Sequence, residues 1–472
     1  MTRTHIRIAL LNHVGQGNIG DDATLAAVIH NTKMRCPQAQ IIAITLNPRD
    51  TQKQHGIVSY PMTRNCKAGP VLPASGDDKE RVSSRLKAAL RKHPILMMLL
   101  RFAKAVTVRI PCALVEEPVF LIKALRITSS INLLIIGGGG QLRDSYRGEW
   151  RFPRSIFKWV ILAKLSGVPC YFLDLGAGPL KTWSGRLLIR YALYLSDYSS
   201  FRDERSCRLI QGIGFTGNSV VAADCVYSLP IPSNTITRQR PESGNSSVGI
   251  SPMQVYWEGN PEVYSHLIQE MAGLCSWLLR GPYRLQLFGT DVWYDSRAVA
   301  DLRRTTVDQC PIGDASRITC PSIHSFSALL AQMATMDYVV TCRFHGVVFA
   351  HLLNIPVLAL SHHPKVATQM NDIGLSEYCV DIAKFDSGQL IQKFSRLVET
   401  ATDIRRMMAE RAVDYQKKLT LQFDSLFPVG LDQWSPAQLR QVLRQARDSG
   451  KVRAKYPPTA CVPKGVRHND YR

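Results

Sequence analysis

The sequence predicts an α/β protein built from two doubly wound, Rossmann-like domains that face each other across a cleft. Three observations point there. Short apolar runs alternate with helical patterns along most of the chain, the rhythm of parallel sheets covered by helices. Several of these runs end in glycine-rich turns, as at residues 137–140 (GGGG) and 176–178 (GAG). The chain has 472 residues, more than one ordinary core accommodates, and the alternation restarts near residue 247 after a polar, Pro-rich stretch at 231–247.

The first domain is expected over residues 1–232. Residues 7–12 (RIALLN) form a short β-run with an apolar centre, Ile8 to Leu11, as a strand buried on both faces has. The turn that follows carries Gly15, Gly17, Asn18, Gly20, Asp21 and Asp22 and leads into a helical pattern through Ala23, Leu25, Val28 and Ile29. Strand, glycine turn and helix together present backbone N–H groups to an anion. The plainer alternative is a tight turn in which Asp21 or Asp22 caps the helix. Neither G-x-G-x-x-G nor a P-loop is present, so no nucleotide motif is assigned. Residues 41–46 are a second strand and 61–80 a polar Pro/Gly-rich loop; 131–136 is a strand that feeds Gly137, Gly138, Gly139 and Gly140. Four glycines in a row cost backbone entropy unless something must approach closely. Ligands of open α/β sheets bind at such strand ends. A helix at 152–166, a strand at 169–175 running into Gly176-Ala177-Gly178, a helix at 185–195 and a short strand at 198–201 follow. That strand delivers Arg202 to the start of a helix at 204–211. Arg202 reads either as a surface partner of Asp203 or Glu204 or as an anion clamp. Residues 220–224 form one more strand, with Asp224 at its end.

The second domain is expected over 247–425. Strands fall at 247–251, 284–288, 338–341 and 378–381, and helices at 261–279, 295–304, 325–333 and 387–422. Residues 341–366 (TCRFHGVVFAHLLNIPVLALSHHPKV) stand out. An Arg343-Phe344-His345-Gly346 turn opens a small apolar helix, a strand at 356–360 follows, and His362-His363-Pro364-Lys365 ends it. Groups able to hold charge or move protons thus sit at both ends of one helix–strand unit, the candidate reaction centre. Two such domains across a cleft make a glycosyltransferase-B type of architecture.

Apolar content of 45% with 20% charged residues is that of a folded, soluble protein. No apolar run reaches a membrane span: the richest, 95–110, is broken by Arg101, Lys104 and Arg109. The N-terminal apolar run is too short for a signal peptide, so a cytoplasmic protein is expected. Twelve cysteines occur with no C-x-x-C pair or zinc-like spacing; they read as reduced, buried small hydrophobes, and no metal site is expected. The net charge of +21 admits nucleic acid, an anionic membrane surface or anionic substrates as partners. No nucleic-acid motif is present. A basic helical insertion is placed around 79–127. Its apolar residues interleave with Arg85, Lys87, Arg91, Lys92, Arg101 and Lys104, as in a helix lying on an anionic membrane. A helix packed on its own domain with a solvated basic face fits equally. The basic tail, 426–472, with Pro457, Pro458 and Pro463, reads as disordered.

Taken in order, six motifs resemble the polysaccharide pyruvyl transferases, the cell-wall and colanic-acid pyruvyltransferase type. They are residues 17–23 (GNIGDDA), 137–140 (GGGG), 176–180 (GAGPL), 201–204 (FRDE), 342–346 (CRFHG) and 364–365 (PK); the resemblance spans about residues 6–382. It implies a cytoplasmic enzyme, and the basic helices leave open a peripheral contact with the inner face of an anionic membrane. Its reaction would move a pyruvyl group from phosphoenolpyruvate to sugar hydroxyls as a ketal, in exopolysaccharide or cell-wall glycan synthesis. Phosphoenolpyruvate is then a substrate, and no cofactor is implied. The family's active arginine, histidine and lysine fall on Arg202, His345 and Lys365. The donor carries about three negative charges, a carboxylate and a phosphate. His345 would move the proton. Arg202, Arg343 and Lys365 would hold the anions, helped by the turns that carry Gly17, Asn18, Asp21, Gly138, Gly139, Gly140 and Gly178. His362 and His363 are weaker candidates, His13 is placed to reach the cleft, and His351 reads as structural.

Two rival readings compete. One is a glycosyltransferase of the same architecture with a nucleotide-sugar donor, which typically holds the ribose with a glutamate; none stands within 343–365. The other is a non-catalytic, membrane-surface component of polysaccharide assembly that uses the basic helices. The acceptor, a sugar or lipid-linked oligosaccharide, is not specified by the sequence.

Overall fold

The computed structural model describes residues 6–64, 66, 110–144, 152–231, 245–254, 261–310 and 314–427. The basic stretch at 79–109, nearly all of the interdomain segment at 231–247 and the tail from 428 onward lie outside the described residues.

The first half runs β1 (Arg7–Leu11), α1 (Ile19–Arg35), β2 (Gln40–Thr45), α2 (Pro48–His55), β3 (Val58–Pro61), α3 (Ile110–Ser129), β4 (Leu133–Gly137) and α4 (Phe152–Leu165). It continues through β5 (Cys170–Leu175), α5 (Trp183–Tyr194), β6 (Tyr198–Phe201), α6 (Glu204–Gly212) and β7 (Val220–Val221). These strands make one parallel sheet in the order β3-β2-β1-β4-β5-β6-β7. The second half runs β8 (Ser246–Ser251), α7 (Pro261–Arg280), β9 (Tyr283–Leu287), α8 (Asp295–Gln309), β10 (Ile318–Thr319), α9 (Phe326–Met333) and β11 (Tyr338–Thr341). It ends with α10 (Phe344–Leu352), β12 (Val357–Ser361), α11 (Pro364–Asp372), β13 (Cys379–Asp381), α12 (Ser387–Glu399) and α13 (Ala401–Leu426). Its parallel sheet has the order β10-β9-β8-β11-β12-β13. Both sheets reverse direction beside their first strand, between β1 and β4 and between β8 and β11. Crevices open at the carboxyl ends of strands at such switch points.

The expected architecture, two doubly wound α/β domains of glycosyltransferase-B type, is what the chain adopts. Side chains alternate across β1: Ile8 and Leu10 join a core that continues into Val339 and Val340 of β11. Ala9 and Leu11 face the other way, onto Ile136, Trp159 and Phe172. The two domains thus share one core on the inner face, and the first sheet has its own on the outer face.

Four details differ from the sequence expectation. Asn18, not Asp21 or Asp22, caps α1, its side-chain oxygen accepting from the N–H groups of Gly20 and Asp21. The strand at 220–224 pairs only at Val220–Val221; Asp224 then caps a short turn, accepting from the N–H of Val226. The helix at 387–422 breaks at Thr400 into α12 and α13, and α13 returns to the first domain. There Gln422 Nε2 donates to the buried Asp174 Oδ1 at 2.7 Å, and Arg35 meets Asp424 at 2.7 Å. Short or weakly patterned elements, α2, β3, β10 and α11, left no periodicity to read. Among the described residues no helix is long and apolar enough to cross a membrane.

Candidate active site

The carboxyl ends of the two sheets meet where the first domain's glycine turn touches the second domain. The Ile19 N–H donates to the Thr290 carbonyl at 2.9 Å, and the Val292 N–H donates to the Gly17 carbonyl at 2.8 Å. Gly17 has φ +76°, and a Cβ there would lie 2.9 Å from the Trp293 ring. Gly20 is more constrained by space: a Cβ would fall 1.9 Å from His345 Nδ1. Glycine at 20 therefore lets the start of α1 lie directly against His345 of the other domain.

The tetraglycine run has a mixed explanation. Gly138 and Gly139 adopt φ +66° and +71°; a Cβ on the first would meet Thr24 Cβ at 2.6 Å, and on the second His13 Cε1 at 2.4 Å. Both accommodate neighbouring side chains, whereas Gly140 lines the cleft itself. Gly178 also lines it, with Arg143 Cβ 3.0 Å from where its own Cβ would be.

Arg202 leaves the end of β6 and is buried, with 9% exposure. Its Nη1 is 3.4 Å from Asp224 Oδ2 and its Nε 3.3 Å from Asp203 Oδ2. Its guanidinium carbon stands 4.1 Å from the Phe344 ring centroid, and Lys365 Nζ is 5.9 Å from the same centroid. Phe344, of the second domain, thus carries one cation from each domain near its ring. His345 follows on α10, with Nε2 3.9 Å from Asp224 Oδ2. That is too long for a hydrogen bond, and Nε2 has no hydrogen-bond partner among the described residues.

The cleft encloses about 590 Å³, open to solvent. The first domain contributes His13, Asn18, Asp21, Arg143, Arg202 and Arg205 to it, and the second contributes Phe344, His345, His363 and Lys365. Four helices, α1, α6, α10 and α11, begin at or beside lining residues, so the positive ends of four helix dipoles converge there. Asn18, Asp203 and His363 cap three of them with side-chain acceptors. The start of α10 has no side-chain cap. An anion at that helix end would meet backbone N–H groups that no side chain occupies.

Charge crowding sets the protonation of these groups. Loss of solvent, followed by the arginines 143, 202 and 343, brings Lys365 down to about 7, against a smaller upward pull from Asp21. Burial takes His345 down to about 4; Asp224 and Asp21 oppose the drop, while Arg202 and Lys365 add to it. His363 falls to about 3, chiefly by burial and the Lys365 charge. Asp21 goes the other way: burial would raise it, but the adjacent His13, with His345 and Arg143, holds it below the usual carboxylate range. Burial and the neighbouring cations therefore favour the neutral forms of His345 and His363 and leave Lys365 only partly charged near neutral pH.

Arg202, His345, Lys365, Asn18, Asp21, Gly140 and Gly178 of the sequence candidates are brought together at the cleft. Arg343 is turned elsewhere. Its guanidinium holds both carboxylate oxygens of the fully buried Asp295, Nε lying 3.2 and 3.1 Å from them, and Arg343 does not line the cleft. The anion grip expected of it is thus replaced by a buried ion pair that fixes the start of α10. His362 points away, Nδ1 at 3.0 Å from the Cys342 carbonyl. His351 is buried between the Tyr227 hydroxyl and the Met408 carbonyl, each at 2.8 Å. His363, a weaker candidate in the sequence, lines the cleft. Arg143, Arg205 and the role of Asp224 were not picked out, and of these only Asp224, at a strand end, had a readable signal. Among the described residues no His, Cys, Asp and Glu cluster suits a metal ion.

A model of the family described as polysaccharide pyruvyl transferase matches residues 18–364, from the α1 cap to the start of α11. Comparison with curated proteins finds no match. Among solved structures the chain is similar to S. aureus MnaA solved with UDP, at a TM-score of 0.53 and 8% identity over 89% of this chain and 95% of that one. It is also similar to a putative UDP-N-acetylglucosamine 2-epimerase from Listeria monocytogenes, at 0.53 and 9% over 92% and 98%. At these identities the likeness shows the fold alone.

The Arg343–Asp295 pair gives a direct stability test. Arg343→Ala leaves the buried Asp295 carboxylate uncompensated and is expected to lower unfolding free energy by about 3–5 kcal/mol, measured by urea denaturation. A change below about 0.5 kcal/mol would mean that the pair does not anchor α10.

Proposed function

Because the chain belongs to the polysaccharide pyruvyl transferase family, we propose that it transfers a pyruvyl group from phosphoenolpyruvate to two hydroxyls of a sugar, forming a cyclic ketal. The acceptor is a sugar or a lipid-linked oligosaccharide. The observation that carries this reading is a buried imidazole nitrogen, His345 Nε2, with no hydrogen-bond partner among the described residues, in a cleft lined by Arg143, Arg202, Arg205 and Lys365. A small trianion whose methylene carbon must be protonated needs that combination: cations for its carboxylate and phosphate, and one group that exchanges a proton near neutral pH. A nucleotide-sugar donor finds support only in the fold, and no glutamate stands between Arg343 and Lys365 to hold a ribose.

In this mechanism Arg202 and Lys365 bracket the phosphate, with the uncapped start of α10 adding N–H donors. The bound negative charge reverses the imbalance of the empty site and raises the pKa of both Lys365 and His345. Protonated His345 then gives its proton to the methylene carbon while a sugar hydroxyl oxygen bonds to the adjacent carbon. The carbon–oxygen bond to phosphate breaks with its electron pair leaving on phosphate, where the fixed cations stabilise the developing charge. A second hydroxyl closes the ketal. Of the two hydroxyl protons, one replaces that delivered to carbon and the other leaves with phosphate.

Two measurements test this. Purified protein with phosphoenolpyruvate and a pyruvylatable acceptor should yield a ketal and equimolar phosphate, and His345→Ala should slow turnover about 100- to 10,000-fold, the usual contribution of an acid–base group. Undiminished turnover would remove His345 from the chemistry. The pKa of Lys365 supplies the second. At pH 8 the empty-site ammonium, near 7, is mostly deprotonated, so donor binding that raises its pKa must take up protons. Calorimetry in buffers of different ionisation enthalpy should record that uptake, and Lys365→Met should reduce it. Proton release on binding at pH 8 would contradict the assignment.

A further inference from the structure

Ketal formation consumes two hydroxyls, and each must lose a proton. The mechanism above uses one imidazole, yet the cleft is also lined by His13 of the first domain and His363 of the second. We infer that His13, oriented by Asp21, is the base that deprotonates the second hydroxyl and closes the ketal ring; this rests on the pyruvyl-transfer reading.

His13 follows β1, is 5% exposed and lines the cleft. Its Nε2 lies 3.0 Å from Asp21 Oδ2, so the Nε2–H donates to the carboxylate and Nδ1 keeps its lone pair. That Nδ1 is buried and has no hydrogen-bond partner among the described residues. The positive φ of Gly139 and its missing side chain leave the space that the His13 ring fills. Asp21 stays ionised despite burial, held so by His13, His345 and Arg143, which suits a carboxylate that must stabilise an imidazolium formed beside it. The two histidines flank the same turn: His345 packs on Gly20 and His13 on Asp21. One cleft therefore offers a proton carrier from each domain.

The assignment divides the reaction. After the first hydroxyl oxygen has bonded to the central carbon and phosphate has left, the intermediate is an oxocarbenium ion. The second hydroxyl oxygen bonds to that carbon as its proton passes to His13 Nδ1, and the proton then departs with phosphate. Without the base, the oxocarbenium ion returns a proton from its methyl group and becomes an enolpyruvyl ether, an isomer of the ketal with the second hydroxyl still free.

The test uses the full chain with phosphoenolpyruvate and acceptor, following phosphate release and the proton NMR spectrum of the sugar product. Wild type should give a methyl singlet. His13→Gln should cut ketal formation at least 100-fold with the donor KM within about two-fold of wild type, and any product it forms should carry paired vinyl protons. Asp21→Asn, which keeps the side-chain volume, should show the same bias in weaker form and keeps the assignment testable if His13→Gln fails to fold. Ketal formation by His13→Gln at the wild-type rate overturns the inference. So does a large rise in the donor KM, which would make His13 a donor-binding group. Wild type that makes no ketal from phosphoenolpyruvate overturns the pyruvyl-transfer reading itself, a separate result.

Discussion

A single buried carboxylate, that of Asp224, is the constraint on which the cleft depends. It is 3% exposed and fixed from behind by the Val226 N–H donating to Oδ1 at 3.1 Å. Its other oxygen faces Arg202 Nη1 at 3.4 Å and His345 Nε2 at 3.9 Å. A guanidinium as buried as that of Arg202 needs a counter-charge, because desolvating an unpaired ion costs several kcal/mol. The same oxygen limits how far His345 is driven toward neutrality by its burial. One carboxylate from the first domain thus sets the position of an arginine of that domain and the charge of a histidine of the other.

That constraint depends on close contact between the domains, which two glycines permit: Gly20 admits His345 and Gly17 admits Trp293. Within the first domain, Gly176 lets the Arg202 guanidinium pass within 2.6 Å of where a Cβ would stand. Two backbone hydrogen bonds tie residues 17–19 to 290–292. On the far side α13 crosses back, placing Gln422 on Asp174 behind the first sheet. Burial pushes that aspartate up to about 7, although its hydrogen bonds from Gln422 and Ser200 favour the charged form. The interface is a continuous core with polar ties, and the cleft is its mouth.

Much of the fold was legible in the sequence because buried parallel strands read as unbroken apolar runs. LLIIG of β4 and CYFLDL of β5 are buried at every position, so period and length sufficed. The candidate site was legible where chemistry coincided with a strand-to-helix turn: Arg202 directly follows β6, and His345 and Lys365 lie in the first turns of the helices after β11 and β12. Arg343 misled because position along the chain does not give the direction of a side chain. One residue before Phe344 on the rim of α10, it points to Asp295 instead of the cleft. Arg143 and Arg205 escaped notice, and His363 was ranked too low, because their grouping depends on how two domains face each other, which periodicity does not encode. Gly138 and Gly139 attracted a ligand-binding explanation, whereas they make room for Thr24 and His13.

Asp224 stands between Arg202 of the first domain and His345 of the second. A double-mutant cycle on kcat/KM with phosphoenolpyruvate, combining Asp224→Asn and His345→Gln, measures that link. Strong non-additivity is expected, with a coupling energy of about 0.5–3 kcal/mol, because each variant removes the same arrangement. Effects that add to within about 0.3 kcal/mol would contradict it, since the two residues would then act as independent neighbours.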